Sequence, residues 1–105
     1  MPVVLILLSL AARAAPPEGA AVYAAKCQAC HGAEGRGDGP AARALPKPPR
    51  DFTNPEFWQT MTEARLRSAI TQGLPGTIMR GFPMAEPQLT QLVAYVQSLK
   101  PPPAR

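Results

Sequence analysis

The run Cys27-Gln28-Ala29-Cys30-His31 constrains this chain more than any other feature of its sequence. Its cysteines are the only two among the 105 residues, and His31 is the only histidine. Two thiols separated by two residues can each add to a vinyl group of one porphyrin, and the histidine beside the second thiol then lies under the iron. The motif therefore predicts one haem c, attached covalently through Cys27 and Cys30, with His31 as an axial ligand.

Two other uses of a Cys-x-x-Cys motif compete with this interpretation. A structural zinc site closes with four cysteine or histidine ligands, and this chain offers only three. A dithiol redox site of the thioredoxin type normally lies in a βαβ pattern, which the sequence does not contain. Both alternatives are disfavoured.

The N-terminus has the character of a targeting segment. Residues 3–12 form an apolar run without charge, followed by the small-x-small pattern Ala12-Arg13-Ala14. The run is too short to cross a bilayer as a helix, which takes about 20 apolar residues. We therefore expect residues 1–14 to be a signal peptide cleaved after Ala14, which would place the protein in the periplasm or otherwise outside the cytoplasm. Because no Lys or Arg precedes the run, a retained membrane anchor stays an alternative.

Charge and size exclude some partners and favour a cofactor-centred core. The net charge is +4, from 11 Lys and Arg against 7 Asp and Glu, and the basic residues are scattered, so we expect no nucleic-acid partner. We also expect no membrane partner unless the N-terminal segment is retained. A domain of roughly 90 residues is marginal for a purely protein core, which favours a chain folded around an apolar haem.

Three segments have helical character, at residues 18–26, 62–72 and 86–99. Thr62 is a suitable N-cap and Gly73 a suitable C-terminal stop for the second segment, and apolar residues recur at helical spacing in the second and third. No segment alternates with period two. The predicted fold class is all-α, with three main helices and long loops wrapped around one haem. Residues 32–60 form the longest predicted loop, and residues 101–105 a proline-rich disordered tail.

The second axial ligand has three methionine candidates. Met79 lies in the predicted loop between the second and third helices, where a thioether could reach an iron from a segment held at both ends. Met84 lies just before the third helix and is the next candidate. Met61 lies near the start of the second helix and is expected to be a packing residue.

These elements together resemble the class I c-type cytochromes, which are small soluble monohaem electron carriers. The resemblance covers residues 18–99 and includes the elements Gly19, Tyr23, Cys27-x-x-Cys30-His31, Gly35-x-Gly37-Asp38-Gly39-Pro40-Ala41-Ala42, Pro48-Pro49-Arg50-Asp51-Phe52, Ile70-x-x-Gly73, Gly76-Thr77-x-Met79 and Leu92-Val93-Ala94-Tyr95-Val96. It implies a cytochrome c fold over residues 15–100. It also implies a monomeric one-electron carrier with transient redox partner proteins and no substrate turnover of its own.

The resemblance also assigns roles to particular residues. It maps the family's methionine ligand onto Met79, so that His31 and Met79 would be the metal ligands, although Arg80 stands where the family usually has proline, which keeps Met84 open. It implies that the carbonyl of Pro40 accepts the other ring N–H of His31. It further implies that the first and last helices cross closely at Gly19, Tyr23 and Tyr95.

Two further side chains are candidate haem-binding residues. The Trp58 indole N–H could donate to a haem propionate, or to the backbone in ordinary packing. Arg50 could neutralise a propionate, or lie solvated at the surface.

An alternative function uses the same haem chemistry. In it, the chain is a haem c subunit or electron-entry domain of one particular periplasmic dehydrogenase or oxidase complex.

Overall fold

The structure, a computed structural model, describes residues 1–4 and 17–102. Its helices are α1 (Pro17–Lys26), α2 (Gln28–His31), α3 (Pro55–Thr60), α4 (Glu63–Gln72) and α5 (Glu86–Ser98), with a 3₁₀ turn at Ala42–Ala44. No strand forms in these residues. The predicted all-α class is confirmed, and the three predicted main helices correspond to α1, α4 and α5.

Helices α1 and α5 pack directly against each other, and a glycine permits their close approach. A Cβ added at Gly19 would collide with the Gln91 carbonyl and come within 3.1 Å of the Tyr95 Cβ. Beside this crossing, the rings of Tyr23 and Tyr95 lie with centroids 4.9 Å apart. The predicted contact of the first and last helices at Gly19, Tyr23 and Tyr95 is therefore confirmed.

The protein core lies between α1, α4 and α5 and extends to aromatic residues around α3. Tyr23, Leu92 and Val93 are its largest fully buried side chains. The other core residues are Val22, Phe52, Phe57, Leu66, Ala69, Ile70, Leu89 and Val96. Most side chains on these helices that face the core are aliphatic, as their helical spacing predicts. Ile78, in the segment between α4 and α5, is 60% exposed and lies outside this protein core.

Helix α4 begins and ends where its sequence predicts. The Thr62 hydroxyl accepts the Arg65 backbone N–H at 3.1 Å, which satisfies one of the free amide groups of the first turn. At the other end, Gly73 adopts a φ of 75°, a conformation that glycine reaches without steric cost. Arg67 joins α4 to α5 through an ion pair with Glu86 at 2.9 Å.

The segment predicted as one long loop, residues 32–60, contains the helix α3, so that part of the prediction is wrong. Asn54 caps α3 by accepting the Glu56 backbone N–H at 3.0 Å, and Pro55 occupies its first turn. Asparagine followed by proline is a recognised helix start. The high proline and glycine content of this region otherwise favours a loop, and this short helix interrupts it.

The predicted signal peptide and tail fall largely outside the described residues. The apolar run from residue 5 onward, the cleavage site after Ala14 and residues 103–105 of the tail are all outside them. Across residues 1–4 and 17–102, none of the helices has both the length and the hydropathy required to traverse a bilayer.

Candidate haem site

The two cysteines and His31 lie on one helical turn that continues from α1. The Cys27 amide bonds to the Tyr23 carbonyl at 2.8 Å, and the His31 amide bonds to the Cys27 carbonyl at 2.9 Å. Residues three apart on a helix share a face, so both sulfurs lie on the same side of this turn. Both cysteines are half-buried. Burial raises the pKa of the Cys27 thiol to about 11, so this group is a neutral thiol at pH 7.

The loop after His31 folds back over α2 and satisfies its last carbonyl groups. The amides of Gly37, Gly39 and Ala41 donate to the carbonyls of His31, Cys30 and Ala29 at 2.8, 3.0 and 2.8 Å, respectively. A Cβ on Gly39 would collide with the Ala29 backbone, so glycine is required at this close approach. The loop thereby fixes the short helix α2, which four residues alone could not stabilise.

The His31 imidazole is held by one hydrogen bond and one stacked ring. Its Nδ1 lies 3.2 Å from the Arg50 carbonyl oxygen, and its ring stacks on Phe52 at 4.5 Å between centroids with 18° between planes. Burial lowers the pKa of His31, against an opposing effect of the Arg50 hydrogen bond, so the ring is neutral at pH 7. Because a carbonyl only accepts, Nδ1 carries the proton and the Nε2 lone pair remains for a metal.

The acceptor for His31 corrects one prediction. The carbonyl that faces Nδ1 belongs to Arg50 and not to Pro40, because the chain returns to the imidazole only after the prolines at 46, 48 and 49. Pro40 instead lies in the loop that covers the end of α2. Arg50 was predicted through its charged side chain, and the contribution of its backbone was missed. The signal was its position in the Pro-Pro-Arg-Asp-Phe element.

Trp58 follows the second of its two predicted alternatives. Its indole N–H donates to the Phe52 carbonyl at 2.7 Å, as in ordinary packing, and its bond to a haem propionate stays a prediction. Phe52 thus receives the Trp58 N–H at its backbone and the His31 ring on its side chain. The Arg50 guanidinium lies over the Phe57 ring at 5.5 Å, and its pairing with a propionate stays a prediction.

The three candidate methionines differ in what they contact. Met61 and Met84 pack against the hydrophobic core. Met79 is half-buried and lies in the loop between α4 and α5. Among the described residues, it is not one of the side chains that pack against the hydrophobic core. Met61 and Met84 are themselves half-buried, and either one would have to give up its contacts with the core to reach a metal.

Three basic side chains lie near aromatic rings around this site. Lys26, directly before Cys27, lies 5.5 Å from the centroid of the Phe82 ring, and Arg80, directly after Met79, lies 5.0 Å from it. Lys100 lies 4.8 Å from the Trp58 ring. None of the ion pairs found among the described residues involves these three cations. They therefore remain available to a negatively charged partner.

The residues present fit a covalently attached haem. Two half-buried cysteine sulfurs lie on one face of one turn, and the adjacent imidazole has its Nδ1 proton engaged and its Nε2 free. These are the groups that thioether attachment and axial ligation require. A helical domain with this attachment turn defines the class of the protein as a c-type haem protein.

Comparison with known proteins gives the family. The family model for cytochrome c matches residues 17–100, and this chain belongs to the cytochrome c family. Its cofactor is haem c, attached through Cys27 and Cys30, and its role is electron transfer.

The individual matches are a longer protein named as a dehydrogenase, a chain of a reducing protein complex and a c-type cytochrome. The chain is 35% identical over 98 residues to the dihydro-heme d1 dehydrogenase of Pseudomonas aeruginosa, covering 91% of this chain but only 18% of that protein. Among solved structures, a reducing HAO-like protein complex of Kuenenia stuttgartiensis matches with a TM-score of 0.70 and 27% identity, over 83% of this chain and 43% of that one. The KustC0563 c-type cytochrome matches with a TM-score of 0.65 and 25% identity, over 78% and 96% of the respective chains.

Proposed function

We propose that this protein is a periplasmic one-electron carrier whose iron is ligated by His31 and Met79. The arrangement of His31 carries the proposal: the Arg50 carbonyl holds its Nδ1–H, Phe52 fixes the ring plane, and Nε2 is left to ligate. When bound, haem supplies reversible one-electron chemistry at iron. The protein's part is to hold both ligands in place in each oxidation state, so that little rearranges during transfer.

The choice of Met79 over Met84 rests on packing. All three methionines are half-buried, but Met84 and Met61 pack against the hydrophobic core, whereas Met79 sits on the loop that joins α4 to α5. Drawing Met84 or Met61 to an iron would give up those apolar contacts. Met79 can serve as a ligand without losing contacts of that kind.

Two protein ligands would leave the iron no open position, which is why we propose a carrier and not an enzyme. We also propose that the protein acts outside the cytoplasm, since residues 3–12 have the uncharged apolar character of a signal sequence and Ala12-Arg13-Ala14 fits a cleavage site. The N-terminal sequence of the protein purified from a bacterial periplasm tests this. A protein that retains residue 1 and sediments with membranes would contradict it.

A second candidate function follows from the Pseudomonas relative. That protein is named as a dehydrogenase, and the present chain matches only 18% of its length. A dehydrogenation releases electrons that a haem c unit can accept one at a time. The alternative is therefore that this chain is the haem c subunit, or electron-entry domain, of one particular periplasmic dehydrogenase or oxidase.

One set of measurements separates these functions. A redox titration of the purified protein should follow a one-electron curve, and the ferrous protein should not bind carbon monoxide readily. Ready binding of carbon monoxide would contradict ligation from both sides. Gel filtration of material from the native host then distinguishes a free carrier, which elutes near its own mass, from a subunit, which elutes with its partner.

A further inference from the structure

The segment that carries Met79 forms a compact loop fixed at both ends. Gly73 and Arg80 form an isolated antiparallel bridge, and the Leu74 amide donates to the Met79 carbonyl at 3.1 Å. Just beyond the bridge, the Phe82 amide donates to the Ile70 carbonyl of α4 at 2.7 Å. The carbonyl side of Met79 is thus tied back to the end of α4.

The amide side of Met79 is held by a single side chain, Thr77. The Thr77 hydroxyl donates to the Leu74 carbonyl at 2.7 Å and accepts the Met79 backbone N–H at 3.2 Å. A hydroxyl has one proton and two lone pairs, so it can serve both partners at once. Leu74 and Met79 are therefore joined twice, once directly and once through Thr77.

The Thr77 hydroxyl is important for the position of Met79 because the residue that follows Met79 does not restrict the backbone. Arg80 leaves its φ angle free, whereas a proline would fix φ near −65°. On the other side, the tip of the loop turns at Gly76, which adopts a φ of 81° and is not a residue that restricts the backbone.

We infer that Thr77 is a positioning residue for Met79: its hydroxyl holds the Met79 backbone in the orientation from which the thioether reaches the iron. The inference rests on the proposed function, because it takes Met79 as the axial ligand. On this account Thr77 acts on the Met79 backbone and touches neither iron nor partner. Without its hydroxyl, the loop samples conformations in which the thioether leaves the iron.

The test compares Thr77→Val with Thr77→Ser in the haem-loaded protein. Valine keeps the branched shape and removes the hydroxyl, whereas serine keeps the hydroxyl. The first readout is the thioether-to-ferric-iron charge-transfer band as a function of pH, and the second is the affinity of the ferric protein for added imidazole. The net free energy of one hydrogen bond changes an equilibrium constant by about two- to tenfold. Imidazole should therefore bind Thr77→Val roughly two- to tenfold more tightly than wild type.

The band should also disappear at a lower pH in Thr77→Val, while Thr77→Ser should match wild type in both readouts. Equal behaviour of Thr77→Val and wild type, or equal shifts in Thr77→Val and Thr77→Ser, would overturn the inference. Thermal unfolding of both variants provides a further check, since a lower unfolding midpoint with unchanged imidazole affinity assigns Thr77 to stability alone and also overturns it. Absence of the band from wild-type protein is a different result, because it would contradict ligation by Met79 itself.

Discussion

The Tyr23 hydroxyl donates to the Gly32 carbonyl at 2.6 Å and so joins α1 to the residue that follows the axial histidine. Tyr23 is 1% exposed, and its ring also lies against Tyr95 of α5. One side chain therefore connects the crossing of the terminal helices with the haem attachment turn. The position of His31 therefore depends in part on the packing of the terminal helices against each other.

Replacement of this hydroxyl gives a first prediction. Because the Gly32 carbonyl also accepts the Gly35 amide at 3.2 Å, Tyr23→Phe does not leave it unsatisfied, and we expect a loss of about 1 kcal/mol in the free energy of unfolding. Guanidinium unfolding of the haem-loaded protein measures this change. Tyr95→Phe is the matched control, because it alters a ring at the same crossing outside this hydrogen bond. An equal loss in both variants would contradict the account.

The same residue predicts an alkaline loss of stability. Burial raises the pKa of Tyr23 well above its usual value, with smaller contributions from Tyr95 and Asp38. The Tyr23 phenol of the unfolded chain therefore loses its proton at a lower pH than that of the folded chain. The contribution of this group to the free energy of unfolding is fully present below about pH 10 and is lost as the pH rises beyond that value. Unfolding curves between pH 8 and about 11 should show the free energy falling for wild type and falling less for Tyr23→Phe. Parallel curves for the two proteins would assign the loss to other groups.

The close crossing of α1 and α5 predicts that one added methyl group at Gly19 lowers the stability of the fold. Gly19→Ala would drive a Cβ into the Gln91 backbone, and backbone cannot rotate away as a flexible side chain can. We expect a destabilisation of about 1–3 kcal/mol from overpacking, even though alanine is the better helix former. Ala24→Ser, on the exposed side of the same helix, should change stability by well under 1 kcal/mol. Thermal unfolding compares them, and a neutral Gly19→Ala would mean that the helices are not in this contact.

Much of the fold could be predicted because its signals are local. Thr62 and Gly73 bound α4 through a side-chain cap and a left-handed turn, and both depend only on neighbouring residues. The prolines after residue 100 similarly restrict the end of α5, which stops at Ser98. The attachment turn was predictable for a chemical reason, because the spacing of Cys27, Cys30 and His31 is set by the porphyrin.

The contacts around His31 could not be predicted because they join distant segments. The acceptor of its Nδ1–H is a backbone carbonyl at residue 50, and any carbonyl of the intervening loop has the same chemistry. Pro40 was preferred from the family pattern, although the chain turns back over α2 at that point. Trp58 has one N–H donor, and only the path of the chain shows that Phe52 is near enough to accept it.

The most direct test of the central claim is the ferric absorption spectrum of wild-type, Met79→Leu and Met84→Leu protein, each with haem attached. If His31 and Met79 hold the iron, wild type and Met84→Leu show the thioether-to-iron charge-transfer band, and Met79→Leu lacks it and binds carbon monoxide in the ferrous form. If the band instead survives in Met79→Leu and disappears in Met84→Leu, the assignment of the second ligand is wrong.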